Sequence, residues 1–186
     1  LINIELMIND TMSEGLMSEG KVYELVPAST KGDETGTVES GQTKEVTYVY
    51  KEVKGNVVVH YTDEAGNKIA EDAKDTTDGS ISTPYDTSDN GMKPERITTP
   101  EGKVYQLVPT ATQGAETGKV TEGTTEVTYV YKEVTGDVVV HYVDTEGNVI
   151  AEDKEDTKGA SLNAKYDTTD NKPEKIEKDG TVYYLT

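Results

Sequence analysis

Near-identical stretches recur along this chain, and that repetition limits its possible folds more than any other feature. GNVVVHYTDEAGNKIAED begins at Gly55 and GDVVVHYVDTEGNVIAED at Gly136, an offset of 81 residues. KVYELVPASTKGDETGTVESGQTKEVTYVYKEVKG begins at Lys21 and KVYQLVPTATQGAETGKVTEGTTEVTYVYKEVTG at Lys103. That offset is 82, falling to 81 after a one-residue deletion near Gly123. TPYDTSDN at Thr83 answers AKYDTTDN at Ala164, and GKVYQLV at Gly102 echoes GTVYYLT at Gly180. Self-similarity at a fixed period marks tandem structural units. One complete repeat spans residues 55–135. Residues 21–54 read as the C-terminal half of a preceding repeat and 136–186 as the N-terminal half of a following one. Residues 1–20 match nothing else in the chain, carry Met7, Met12 and Met17, and read as an unassigned leader or variant segment.

The period inside each repeat is that of a strand. In VTYVYK, Val46, Tyr48 and Tyr50 share one face; in VVVHY, Val57, Val59 and Tyr61 do so. β-branched and aromatic residues alternating with a period of two predict strands. The runs Asp63–Asn67 and Asp144–Asn148 predict hairpin turns in which Gly supplies a positive φ. KVYQLVP from Lys103 predicts a strand ended by Pro109. KPERI and KPEKI, with Pro94 and Pro173 near their starts, suit a short helical turn. No segment sustains a helical period, so the chain is expected to be mainly β, built of small antiparallel and mixed sheets in elongated tandem repeats. Little more than Lys54 and Gly55 separates VTYVYKEV from GNVVVHY, too short a joint to act as a flexible coil. The expectation is a monomeric rod.

Composition narrows the function. The chain has 186 residues, a net charge of −18 and no cysteine. That charge argues against nucleic-acid binding, which requires Lys and Arg to neutralise phosphate. Without cysteine there is no disulfide scaffold and no thiolate metal or redox site. No apolar run is long enough for a membrane-spanning helix. There are twelve Tyr but no Phe or Trp. Tyr suits a thin, partly wet sheet because its ring packs while its hydroxyl reaches a polar partner.

Catalytic motifs are missing: there is no Gly-x-Ser-x-Gly elbow and no His-Glu-x-x-His pair. The chain is read as a non-enzyme with no cofactor. His60 and His141 occupy equivalent positions one repeat apart and do not readily converge on one metal. They read as strand-surface residues or as hydrogen-bonding contacts to a glycan. The acidic turns Asp63–Asn67, Asp86–Asn90, Asp144–Asn148 and Asp167–Asn171 offer oxygens that calcium uses, but none has EF-hand spacing, and turn chemistry accounts for them.

The ordered blocks G-x-V-V-V-H-Y-x-D-x-x-G-N-x-I-A-E-D, Y-D-T, V-Y-x-L-V-P and G-T-T-E-V-T-Y-V-Y-K resemble the MucBP (mucin-binding protein) repeat family. The likeness covers Gly55 to Lys132 fully and both flanks in part. It implies a segment of a cell-wall-anchored, extracellular adhesin of Gram-positive bacteria such as streptococci. It also implies β-grasp-like modules and host mucin glycoproteins or other glycans as partners. Strand tyrosines Tyr48, Tyr50, Tyr61, Tyr129, Tyr131 and Tyr142 are expected in the core. Tyr85, Tyr105, Tyr166 and Tyr183 lie nearer loops, where an exposed ring can stack on the apolar face of a sugar. With His60 and His141 they form the candidate glycan-binding set. The alternative is a stalk that projects another adhesive domain. If turn chemistry is the whole role of the acidic runs, the thermal unfolding midpoint will be the same with calcium and with EDTA; a shift between the two would assign them to metal.

Overall fold

The computed structural model describes residues 5–7 and 15–186. The expectation of a leader or variant segment at 1–20 falls partly outside these residues. Among the described residues there are fifteen strands. They are β1 (Glu5–Met7), β2 (Gly15–Ser18), β3 (Lys21–Leu25), β4 (Tyr50–Glu52), β5 (Lys54–Asp63), β6 (Lys68–Ser80), β7 (Pro84–Asp86) and β8 (Arg96–Thr98). There follow β9 (Val104–Leu107), β10 (Thr117–Lys119), β11 (Gly123–Glu133), β12 (Thr135–Val143), β13 (Val149–Ser161), β14 (Lys175–Lys178) and β15 (Thr181–Tyr184). Three single 3-10 turns complete the description, at Pro27–Ser29, Pro109–Ala111 and Thr169–Asn171. The protein is mainly β.

The chain divides into two compact units, one of Leu1–Tyr61, Glu71–Lys93 and Thr110–Tyr129, the other of Thr62–Ala70, Pro94–Pro109 and Val130–Thr186. In the first unit, β1 to β4 form an antiparallel ladder in sequence order. The complete repeat supplies a five-stranded sheet in the order β6-β5-β11-β9-β8. A Cβ added at Gly55 would collide with the Thr121 carbonyl, while His60 reaches Glu126 and the Tyr61 ring stacks on Tyr129. In the second unit β12 pairs with β13 and β14 with β15, both antiparallel.

The core is built around β5 and β11. Val57, Val59, Val127, Tyr129 and Tyr131 have no exposed surface. Tyr61 and Tyr129 stack with ring centroids 6.4 Å apart. The crossing segment lies over this face: Tyr85 packs with Val57 and Val120, and β7 pairs with β10. Core hydroxyls of this repeat bond to the crossing segment. Tyr61 donates to the Met92 carbonyl (2.6 Å) and Tyr131 to the Pro94 carbonyl (2.7 Å). Tyr129 shares a hydrogen bond of 2.8 Å with the buried Thr87 hydroxyl.

Three sequence expectations need correction. KPERI and KPEKI are not helical turns. Arg96 and Ile97 begin β8, and Lys175 and Ile176 begin β14, each in a hairpin with the strand that follows. Pro94 and Pro173 bias the preceding residue towards extended backbone. Second, VTYVYK at Val46 is a strand only from Tyr50, apart from an isolated bridge between Thr47 and Lys31. Tyr48 is accordingly half exposed rather than core. Third, β6 and β13, the strands that follow the two hairpin turns, run for thirteen residues, well past their short apolar starts. Their side chains are exposed or half-buried with the single exception of Ile150, and an edge strand needs few apolar residues.

Tyr129→Phe is expected to cost about 1 kcal/mol, because Thr87 loses one buried partner but keeps the Glu116 carbonyl. Tyr129→Ala should cost about 3–5 kcal/mol, the usual range for an emptied aromatic site. Tyr48→Phe, at the equivalent position but 49% exposed, should change stability by less than about 0.5 kcal/mol. Urea unfolding of the three variants against the parent checks the ordering.

Candidate functional site

The candidate tyrosines do not share one environment. Tyr85 and Tyr105 are each only 8% exposed, so the expectation that they sit on the surface is corrected. Tyr85 lies on β7, whose partner β10 presents Gly118, and its hydroxyl donates to the Ala115 carbonyl at 3.0 Å. Tyr105 lies on β9, paired with both β8 and β11. Tyr166, the repeat equivalent of Tyr85, is 65% exposed, and Tyr183, the equivalent of Tyr105, is half-buried on β15. In the complete repeat all five tyrosines, at positions 61, 85, 105, 129 and 131, are buried. The exposed tyrosine rings therefore belong to the flanking half-repeats.

Histidine placement follows strand order. His60 lies on β5, with its Nδ1 3.0 Å from the Asp72 carboxylate on β6 and its Nε2 3.3 Å from Glu126 on β11. It thus bridges three adjacent strands. The hydrogen bond with Asp72 raises its pKa most, Glu126 adds to this, and partial burial opposes it. His141 is more exposed and pairs with Asp153 of β13, at 2.7 Å. The two imidazoles engage separate carboxylates, and among the described residues no group of three or more His, Asp or Glu side chains is placed to hold a metal ion.

The acidic turns serve their own backbone. Asp63 accepts from the Ala65 and Asn67 amides and from the Asn67 side chain, at 2.8–2.9 Å. Gly66, with φ +88°, lets the chain reverse beneath it. Asp144 makes the same three contacts with Glu146 and Asn148. Asp86 accepts from the Ser88 amide and hydroxyl, and Asp167 from those of Thr169. These donors, the Asn67, Ser88, Asn148 and Thr169 side chains chief among them, hold all four carboxyls below their usual pKa.

A cleft of about 710 Å³ lies in the second unit, with Tyr142, Lys172, Ile176, Tyr183 and Tyr184 among its lining residues. Tyr142 closes one side by donating to the Asn171 carbonyl, as Tyr61 does to Met92. The cleft borders β12 and β15, the repeat equivalents of β5 and β9. Those two strands hold β11 between them, so the cleft corresponds to a strand position in the complete repeat.

These features define a tandem β-repeat protein in which the acidic turns bond to their own backbone and the two histidines to carboxylates on neighbouring strands. The MucBP domain family model matches residues 8–51, 56–132 and 137–186, and the chain belongs to that family. It is also 44% identical over 138 residues to the muramidase-released protein of Streptococcus suis, a match covering 62% of this chain. The chain spans 11% of that relative's length.

The shifted groups give opposite pH dependences. Carboxyls whose folded pKa is depressed stabilise the fold above their unfolded pKa, and that contribution is lost as pH falls through the folded value. His60, raised above its ordinary 6.5, contributes fully below that value, and its contribution is lost as pH rises through the folded pKa. Denaturation midpoints should therefore fall in acid and decline again as pH rises through the His60 transition. His60→Gln should flatten the alkaline decline and leave the acid limb in place. An unchanged alkaline limb in that variant would remove His60 as its cause.

Proposed function

We propose that this chain is an extracellular segment of a Gram-positive surface adhesin that binds host mucin glycans through weak contacts repeated along tandem domains. The observation that carries the reading is the set of three MucBP matches on one chain, covering residues 8–51, 56–132 and 137–186. A net charge of −18 sets the terms of binding. Sialylated or sulfated mucins carry like charge and are repelled at long range. Attraction then comes from short-range hydrogen bonds to exposed Thr, Asn and Asp, with stacking where a ring is free, as at Tyr166. His60 and His141 each keep part of the imidazole open to solvent on equivalent strands and remain in the contact set. Weak single sites gain from repetition when several engage one polymer.

The stalk reading is favoured by one observation: the complete repeat buries every one of its tyrosines, leaving none to stack on sugar. A glycan array, with intact against deglycosylated mucin, separates the two readings. For an adhesin, glycan-dependent binding by the whole chain should exceed that of residues 55–135 alone on the order of a hundredfold. Added salt should sustain or strengthen it by screening like charge. Equal affinity for one and several repeats would defeat the multivalent mechanism, and loss of all glycan dependence would leave the stalk.

A further inference from the structure

The joints between consecutive repeats carry a contact that the repeat motif does not reveal. Glu52 ends β4, and Lys54 begins β5 two residues later. The Glu52 carboxylate accepts a hydrogen bond of 2.6 Å from the Ser80 hydroxyl at the far end of β6. Its other oxygen lies 3.8 Å from the Lys54 ammonium. At the next joint Glu133 ends β11 and Thr135 begins β12. Glu133 accepts at 2.5 Å from Ser161, the last residue of β13, and its other oxygen lies 3.9 Å from Lys103. Lys103 is the repeat equivalent of Lys21, whose charge acts on Glu52. Each glutamate thus joins the last strand of one repeat to the second strand of the next.

The backbone around each joint repeats as well. Val53 N–H donates to the Val22 carbonyl and Val134 N–H to that of Val104, both at 2.8 Å. These bonds tie the residue after each glutamate back to the preceding repeat. Asp78 and Gly159 occupy equivalent positive-φ positions near the far end of the second strand. Their amides donate to Asn56 Oδ1 and Asp137 Oδ1, at 2.8 and 2.7 Å. This second bond holds the strand end that carries Ser80 or Ser161 beside the joint.

We propose that the Glu52–Ser80 and Glu133–Ser161 pairs are latches that hold the joints between consecutive MucBP repeats closed. A partly buried carboxylate that accepts from a hydroxyl forms a charge-assisted hydrogen bond, stronger than a neutral one. Because one partner comes from each repeat, opening the joint breaks it. The latch restricts motion where two strands meet with a single residue between them. It operates whether the repeats bind glycan or act as a stalk.

Amide hydrogen exchange on the full chain tests this, with Val53 and Val134 N–H as reporters. Ser161→Ala should accelerate exchange at Val134 by about tenfold, the effect of losing one such bond on a local opening. Val53 and the Thr128 amide, which donates to Gln113 inside the complete repeat, should keep their rates. Ser80→Ala should act at Val53 and spare Val134. Ser161→Thr keeps the hydroxyl and should restore protection. The proposal is overturned if Val134 exchanges at the parent rate in Ser161→Ala, if the threonine variant matches the alanine variant, or if all three amides accelerate together.

Discussion

The hydroxyl of Tyr129 bonds directly to that of Thr87, both out of solvent, and much of the complete repeat is arranged around that contact. A chain with twelve Tyr and neither Phe nor Trp must build its core from rings that each carry a polar atom. A buried hydroxyl without a partner is costly, so these core tyrosines dictate where other groups lie. Tyr61 and Tyr131 fix the Met92 and Pro94 carbonyls, Tyr85 fixes Ala115, and Tyr129 fixes Thr87. The long crossing between β6 and β11 is therefore held by hydrogen bonds as much as by apolar contact. Lys93 adds to this, lying 5.4 Å above the Tyr129 ring while pairing with Glu116. The half-repeat with Tyr142 makes the same tie, to Asn171, although its loop is two residues shorter.

Charge works on a different scale. The excess of acidic groups repels other polyanions over a Debye length of about 8 Å. Locally the same groups organise turns and strand edges. Asp63 and Asp144 cap their hairpins, and Asp72 and Glu126 hold His60 between them. Glu52 and Glu133 link neighbouring repeats. Carboxylates that resemble a diffuse acidic surface in the sequence thus have specific partners. For an adhesin this leaves recognition to polar contacts at short range and to the number of repeats engaged.

Parts of the candidate site were legible and parts were not. The hairpin turns were, because Asp, Gly and Asn at fixed offsets have a local chemistry that needs no tertiary context. The burial of Tyr85 and Tyr105 was not. Proximity to a loop says where a residue lies along the chain, whereas burial depends on β10 and β11 arriving from elsewhere. The full length of β6 was hidden for the converse reason: an edge strand satisfies its backbone by pairing and keeps polar side chains in contact with water.

The octapeptide EVTYVYKE occurs twice and separates the two levels of control. At Glu126–Glu133 it is strand throughout and lies between β5 and β9, with Val127 and Tyr129 fully buried. At Glu45–Glu52 it is strand only over its last three residues, and Val46 and Tyr48 are 39% and 49% exposed. The sequence by itself determined the repeat, its alternation, its turns and its family. Tertiary structure alone decided which copy of an identical segment became core, because a strand's apolar face is buried only when neighbouring strands and a covering segment remove it from water.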